Sequence, residues 1–370
     1  MGTYHSGCLP LVLLLPLLLA PLTAAAQPTG DDDAPFEPRR YVCYRTKAPI
    51  TMDGRLEEAA WDAVPWTDTF VDIEGEARPE PRFQTRAKML WDDDYFYVAV
   101  AMEEPDVWGT LTRRDTIIFY DNDFEIFIDP DGDTHAYYEF EVNALGTVWD
   151  LMLLQPYRDG GPPIDAWDIA GLDVGVAVDG TLNQPGDRDS SWSVEVVLPW
   201  RVLRETAPDR RLPEAGEQWR VNFSRVQWHT DVVDGRYVKR VSAETGKALP
   251  EDNWVWSPQG VINMHVPERW GYVQFAAATS GAAEEAFVAD SNERVKWALR
   301  RLYYRQRDYY ETHDQYATSL SDLGGEDVAV EGLDFQPTMQ ATENLYEITA
   351  PGFDGATLHL RQDGRVWGTP

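Results

Sequence analysis

Cysteine, histidine and basic residues are scarce in this chain of 370 residues. It has two cysteines, Cys8 and Cys43, and if Cys8 leaves with a signal sequence the remaining one cannot form an intramolecular disulfide. The six histidines show no zinc-binding spacing, and there is no glycine-rich phosphate loop or Gly-x-Ser-x-Gly motif. Lys and Arg total 32 against 63 Asp and Glu, a net charge of −31. The negative electrostatic field of such a chain repels nucleic acid and anionic membrane surfaces, so neither is an expected partner.

Long apolar runs are also missing. The longest, residues 9–20, is too short to span a membrane and is followed by the small residues Ala24 to Ala26. This pattern predicts a signal peptide over residues 1–26, cleaved near Ala26, and therefore a secreted or periplasmic protein without membrane insertion. Residues 27–46, rich in Pro, Asp and Gly at their start, are predicted to be a disordered tether.

Residues 47–276 contain many short runs of alternating apolar and polar residues, separated by Gly, Pro, Asp and Asn. This pattern predicts an all-β sandwich, antiparallel and jelly-roll-like. Residues 277–288 have a linker composition. Residues 289–370 are predicted to form a small α+β accessory domain that begins with a basic amphipathic helix over 292–311. That helix is expected either to face solvent or to contact an acidic surface, including the chain's own sandwich.

The stretch from Asp121 to Asp150 predicts two antiparallel strands joined by a turn of Asp, Pro and Gly. Because side chains alternate between the two faces of a strand, one face receives Tyr and Phe and the other receives carboxylates and an amide. Burying unpaired charges costs several kcal/mol each. The polar row is therefore predicted to line an open hollow that faces water, a metal or a ligand.

Four motifs, in the same order and spacing, resemble the family 9 carbohydrate-binding modules and their secreted relatives. They are PITMDGRLEEAAW from Pro49, LWDDDYFYVAVAM from Leu90, NDFEIFIDPDGD from Asn122 and the strand YYEFEVN. The resemblance covers residues 47–276. It implies a β-sandwich that binds oligo- or polysaccharides without cleaving them, in association with glycoside hydrolases and polysaccharide catabolism, with calcium as a structural ion in some members.

The resemblance also implies particular site residues. Glu125 stands where the family has a sugar-contacting glutamate, Phe119 where it has a stacking Trp, and Glu141 where it has an arginine. A sugar site needs flat apolar faces together with carboxylates, amides or guanidinium groups. The full set of candidate carbohydrate-binding residues is Glu125, Phe119, Trp108, Glu139, Asn143, Trp149, Trp167, Asn222, Arg225 and Trp256.

Asp129, Asp131 and Asp133 place carboxylates at every second position of the turn, where they could converge on calcium. The EF-hand pattern is not met, because Thr134 and Phe140 stand where Gly and Glu are required. A solvated turn explains the same residues equally well.

Two other functions stay open. Glu125, Glu139, Glu141 and Glu195 could supply the carboxylate pair of a hydrolase of O-glycosyl bonds. Alternatively, the chain could be a surface interaction module that meets another secreted or cell-surface protein through its C-terminal domain. No catalytic residue is predicted for the binding function.

Overall fold

A computed structural model describes residues 36–282 and 284–370, so the predicted signal peptide lies outside the described residues. No helix in these ranges is long and apolar enough to cross a membrane. The elements before residue 280 are, in chain order, β1 (Arg40–Arg45), α1 (Ala59–Asp62), β2 (Val71–Asp72), β3 (Thr85–Trp91), β4 (Tyr95–Glu103), β5 (Asp123–Asp129), β6 (Tyr137–Asn143), β7 (Val148–Leu153), β8 (Pro163–Ile164), β9 (Asp173–Asp179), β10 (Ser191–Pro199), α2 (Trp200–Leu203), β11 (Gln218–Gln227), β12 (Thr230–Val233), β13 (Arg236–Lys239), β14 (Asp252–Val255) and β15 (Gly271–Thr279).

Thirteen of these strands form one sheet, in the order β8-β7-β6-β5-β11-β15-β1-β3-β4-β10-β9, with β14 beside β11 and β2 beside β14. One apolar core contains inward residues from both halves of this strand order. Phe124 and Ile126 come from β5 in the first half, and Val98 and Val194 come from β4 and β10 in the second. The two halves of the sheet therefore face each other across a shared core, and the predicted β-sandwich is confirmed.

Large aromatic side chains fill the middle of this core. Trp200 contacts Trp219 and Phe275 edge to face, with ring centroids 5.5 and 5.6 Å apart. Trp91 and Trp192, which alternate inward along their strands, are also buried. Edge-to-face pairs of this kind stabilise a core beyond the apolar area that they bury.

The prediction that residues 27–46 form a disordered tether is wrong for residues 40–45, because these residues form β1 at the centre of the sheet. The strand pairs in parallel with both β15 and β3, so the sheet is mixed and not wholly antiparallel. Tyr41 and Cys43 alternate into the core. Burial raises the pKa of the Cys43 thiol well above its usual value, which makes it unreactive.

The C-terminal unit is a helix on a four-stranded antiparallel sheet, as predicted. Its elements are α3 (Asn292–His313), β16 (Thr338–Ala341), β17 (Tyr346–Pro351), β18 (Thr357–Arg361) and β19 (Val366–Thr369), with the strands in sequential order. Val295, Leu299 and Leu302 of α3 pack against Ile348 and Leu360 of the sheet.

The sequence predicts few contacts across the 277–288 linker, and the structure corrects this expectation. The carboxylate of Glu268, in the sandwich, lies 2.9 Å from the guanidinium of Arg158 and 3.7 Å from that of Arg300 on α3, and also accepts from the Tyr304 hydroxyl. All these side chains are buried or nearly so. The basic helix therefore contacts the chain's own sandwich.

A second buried ion cluster strengthens the same interface. Glu293, in the first turn of α3, accepts from Arg220 of β11 at 2.7 Å and from the Tyr272 hydroxyl at 2.8 Å. Lys296 lies 2.8 Å from the same carboxylate. Because both clusters join residues on opposite sides of the linker, we retain the division at 277–288 only as a proposal about chain organisation.

We predict that Glu268→Gln destabilises the mature protein by about 3–5 kcal/mol, because Arg300 would then be buried without a carboxylate partner and Arg158 would keep only Asp159. Urea unfolding at pH 7 measures the change. The matched control is Glu74→Gln, which removes an ion pair with the exposed Arg78 and should cost less than about 1 kcal/mol. Equal losses in the two variants would show that the buried network does not stabilise the interface.

The low pKa of Glu268 predicts that acid destabilises this interface. Burial alone would raise the pKa of Glu268, but Arg158 and Arg300 together lower it to about 2. In the unfolded chain the pKa of a glutamate is about 4.3. The stability that ionised Glu268 contributes to the folded protein is therefore fully present above that pH and is lost as pH falls toward 2. Urea unfolding between pH 6 and 3 should show the gap between wild type and Glu268→Gln narrowing below about pH 4.5. A constant gap would contradict this assignment.

Candidate functional site

The outer face of β5 and β6 carries a row of acidic side chains. Glu125 lies opposite Glu141, and Phe127 lies opposite Glu139 in the antiparallel register. The residues between them, including Ile126 and Phe140, point into the core. The alternation seen in the sequence therefore places these carboxylates together on one face.

This face forms the floor of a pocket of about 220 Å³. Glu125, Glu139, Glu141 and Phe119 line its inner part. Phe119 belongs to a short 3₁₀ turn, Ile118–Tyr120, which is held over β6 because the backbone N–H groups of Ile118 and Phe119 both donate to Glu141 Oε2, at 3.0 and 3.1 Å.

The opposite wall comes from a later part of the chain. Glu251 and Asn253 at the start of β14, and Ile262 and His265 of the following loop, close the pocket. His265 is held by its Nδ1, 2.9 Å from the Tyr137 hydroxyl, and burial lowers its pKa to about 3, so the ring is neutral. Sequence reasoning missed this wall, since an irregular loop carries no periodic signal.

The acidic row is more enclosed than the open hollow that the sequence predicts. Glu125 and Glu139 are each 5% exposed and Glu141 is 1% exposed. Burial raises the pKa of Glu125 to about 7, and burial together with the neighbouring Glu125 raises the pKa of Glu139 and Glu141. Among the described residues, neither lysine nor arginine lines the pocket.

Two of the predicted aromatic residues lie beside the pocket without lining it. Trp149 of β7 is opposite Glu141 in register, on the same face, and packs with Phe127 and Trp270. Trp108 is buried against Val226 in a small apolar cluster that Phe119 also contacts.

The other two predicted aromatics do not line the pocket, which corrects their assignment to the site: Trp256 is in the core and Trp167 packs, partly buried, against it. Trp256 is fully buried and its ring lies 5.7 Å from that of Phe223. Trp167 stacks on Tyr138, with ring centroids 4.8 Å apart, on the inner side of β6. Trp256 directly follows β14 and Trp167 lies in the loop between β8 and β9, and neither lines the pocket over the acidic face.

Three predicted polar site residues do not line the pocket, because their polar groups contact other residues of the sandwich. Asn222 accepts from the Ser257 N–H at 2.8 Å and donates to its carbonyl. Asn143 donates to the carbonyl of Leu111 at 2.9 Å. Arg225 is fully buried, 3.1 Å from Glu104, and points away from the pocket.

Glu195 is separated from the other carboxylates that were considered for a hydrolase. Its oxygens accept from the Trp61 indole N–H at 2.8 Å and from the Gly54 N–H at 2.9 Å. This carboxylate fixes the Asp-Gly turn before α1. Of these four glutamates, Glu125, Glu139 and Glu141 line the same pocket and Glu195 does not.

The turn between β5 and β6 brings oxygens of Asp129, Asp131 and Asp133 within 4.8 Å of one another. Asp129 accepts from the N–H of Thr134 at 2.9 Å, which is ordinary turn geometry. Asp133 also accepts from Arg365 of the C-terminal unit at 2.6 Å. The donor set suits a hard cation, although Arg365 already supplies positive charge to one member.

A family model described as carbohydrate family 9 binding domain-like matches residues 52–209, which include β5 and β6. No curated protein matches the chain.

Solved structures of low identity align with about two thirds of the chain. One is a candidate carbohydrate-binding protein from Bacteroides uniformis, with 15% identity, a TM-score of 0.46, and coverage of 65% of this chain and 100% of that one. Two are family 9 modules from Caldicellulosiruptor kristjanssonii, solved with cellotriose and with glucose. Both have 15% identity and a TM-score of 0.41, and cover 66% and 67% of this chain and 99% of theirs. The family match shows that residues 52–209 are similar to the carbohydrate family 9 binding domain-like family.

Proposed function

We propose that the protein binds a carbohydrate, without cleaving it, in the pocket over β5 and β6. The observation that carries the proposal is the pairing of Phe119 with Glu125 and Glu139 in one cavity of a family 9 domain. An aromatic face packs against the CH groups of a sugar ring, and carboxyl groups accept and donate hydrogen bonds to its hydroxyls. The two Caldicellulosiruptor kristjanssonii modules, solved with cellotriose and with glucose, bind ligands of the same class.

The size and charge of the pocket narrow the ligand class. A volume of about 220 Å³ is below the usual range of about 300–1,000 Å³ for drug-sized ligands, so the pocket suits one sugar unit. Its lining of Glu125, Glu139, Glu141 and Glu251 repels anionic sugars. A neutral unit of an oligo- or polysaccharide fits best.

We predict that Phe119→Ala weakens binding of the best oligosaccharide by at least about tenfold, because an aromatic contact contributes about 0.5–1.5 kcal/mol beyond the area it buries. Glu139→Gln should weaken it similarly through a lost charge-assisted hydrogen bond. A panel of neutral oligosaccharides, followed by calorimetry on the best ligand, measures both.

Phe353→Ala is the matched control, since Phe353 is also partly buried but packs in the C-terminal unit. It should leave sugar affinity unchanged. A blank panel, or equal affinity in wild type and Phe119→Ala, would reject this pocket as the sugar site.

The biological setting belongs to the same proposal. The predicted signal peptide supports export to the periplasm or the medium, where polysaccharide fragments released by glycoside hydrolases would be available. Two alternatives are tested beside it. Release of reducing sugar that Glu125→Gln abolishes would favour a hydrolase, and a protein partner retained by the C-terminal unit would favour an interaction module.

Calcium at the turn between β5 and β6 stays a prediction. If Asp129, Asp131 and Asp133 hold the ion, adding calcium after chelator treatment should raise the melting temperature of wild type, because binding to the folded state stabilises it. Asp131→Asn should reduce the increase. The same increase in both proteins would leave these residues as a solvated turn.

A further inference from the structure

We propose that Asp123, Glu125 and Glu141 form a second, distinct cation site on the floor of the pocket, and that calcium held there contacts the hydroxyls of the bound sugar. The ion site itself stands on the geometry of the three carboxylates. Only the contact with sugar rests on the proposed function.

The three side chains converge from two neighbouring strands. Asp123 and Glu125 are two residues apart on β5 and so share a face, and Glu141 of β6 lies opposite Glu125. Each offers a carboxylate oxygen within 4.8 Å of the others. Calcium binds oxygen at about 2.3–2.6 Å, so ligands on opposite sides of the ion are about 4.6–5.2 Å apart.

Asp123 supplies the independent observation that points to a ligand. Its side chain is fully buried, and neither carboxylate oxygen has a hydrogen-bond partner. The neighbouring Asp121 is equally buried, yet it accepts hydrogen bonds from Thr110, Leu111 and Asn143. A buried carboxyl group without any partner is costly, and a bound cation removes that cost.

Two other buried carboxylates of this chain are paired with cationic side chains. Glu104 contacts Arg225, and Glu268 contacts Arg158. Among the described residues, the pocket offers only the neutral His265 in that role, and its Nδ1 is engaged by Tyr137. No lysine or arginine in the described part of the chain lines the pocket to balance this cluster, and a bound cation would supply the missing positive charge.

The pocket leaves room to complete the coordination of such an ion. Calcium takes six to eight oxygen ligands, and three carboxylates leave several positions for water or for hydroxyl groups. Glu125 and Glu141 line the cavity of about 220 Å³, so those positions open toward the bound molecule. A sugar unit with two adjacent hydroxyls could replace two waters.

The metal alone provides the first test. The mature protein is treated with chelator, exchanged into metal-free buffer, and titrated with calcium chloride in equilibrium dialysis. Asp123→Asn and Glu141→Gln should each lose one bound calcium per chain relative to wild type. Asp94→Asn, which changes an exposed aspartate, is the matched control and should bind as wild type does. Asp131→Asn separates the turn from the pocket, because it should retain the pocket ion.

Thermal melting tests the same site independently, in case a variant loses calcium because it is misfolded. Without calcium, Asp123→Asn should melt no lower than wild type, because an unpaired buried amide costs less than an unpaired carboxylate. Calcium should then raise the melting temperature of wild type more than that of Asp123→Asn. Absence of calcium uptake by wild type, or equal uptake by wild type, Asp123→Asn and Glu141→Gln, overturns the site.

Sugar binding in calcium and in chelator separates this inference from the proposed function. Loss of binding in chelator, restored by calcium, supports the contact between ion and sugar. Binding that persists unchanged in chelator overturns that contact and leaves the proposed function intact. Calcium uptake that depends on Asp123, combined with a blank sugar panel, supports the ion site and overturns the proposed function.

Discussion

Buried carboxylates are the constraint on which the architecture of this protein depends. A carboxylate removed from water needs a cation, hydrogen-bond donors or a proton. The chain meets that requirement differently in different places. Glu195 accepts from backbone and indole N–H groups, Glu268 is surrounded by arginines, and the row from Asp123 to Glu141 is left with few donors beside a pocket.

The interface with the C-terminal unit also bears on the pocket. Arg365 pairs with Asp133 in the turn that joins β5 to β6, and the Val366 N–H donates to the Asp133 carbonyl. The two strands that carry the acidic row are thus attached directly to the C-terminal sheet. The basic composition of α3 follows from this arrangement, since Arg300 and Arg307 meet acidic groups of the sandwich, Glu268 and Asp159.

The sequence predicts what depends on local pattern. Alternation in the 121–150 stretch assigns Glu125 and Glu139 to the outer face and Phe140 to the core, as the structure shows. Helical spacing likewise identifies α3 almost to its ends. What depends on distant partners is not predicted. β1 becomes a strand because β15, more than 200 residues later, lies beside it, and the pocket wall at 251–265 is brought to Glu125 only by the pairing of β14 with β11.

Contacts with distant residues also explain why some predicted site residues are not in the pocket. Arg225 and Asn222 have the right chemistry for a sugar, but Glu104 and Ser257 already engage them. Glu141 on β6 stands where the resemblance to the family implies an arginine. That replacement places a negative group opposite Glu125 and so reverses the charge of the floor. Any neutral ligand of this pocket therefore needs a cation or a proton between these two carboxylates, a condition that an arginine at this position would remove.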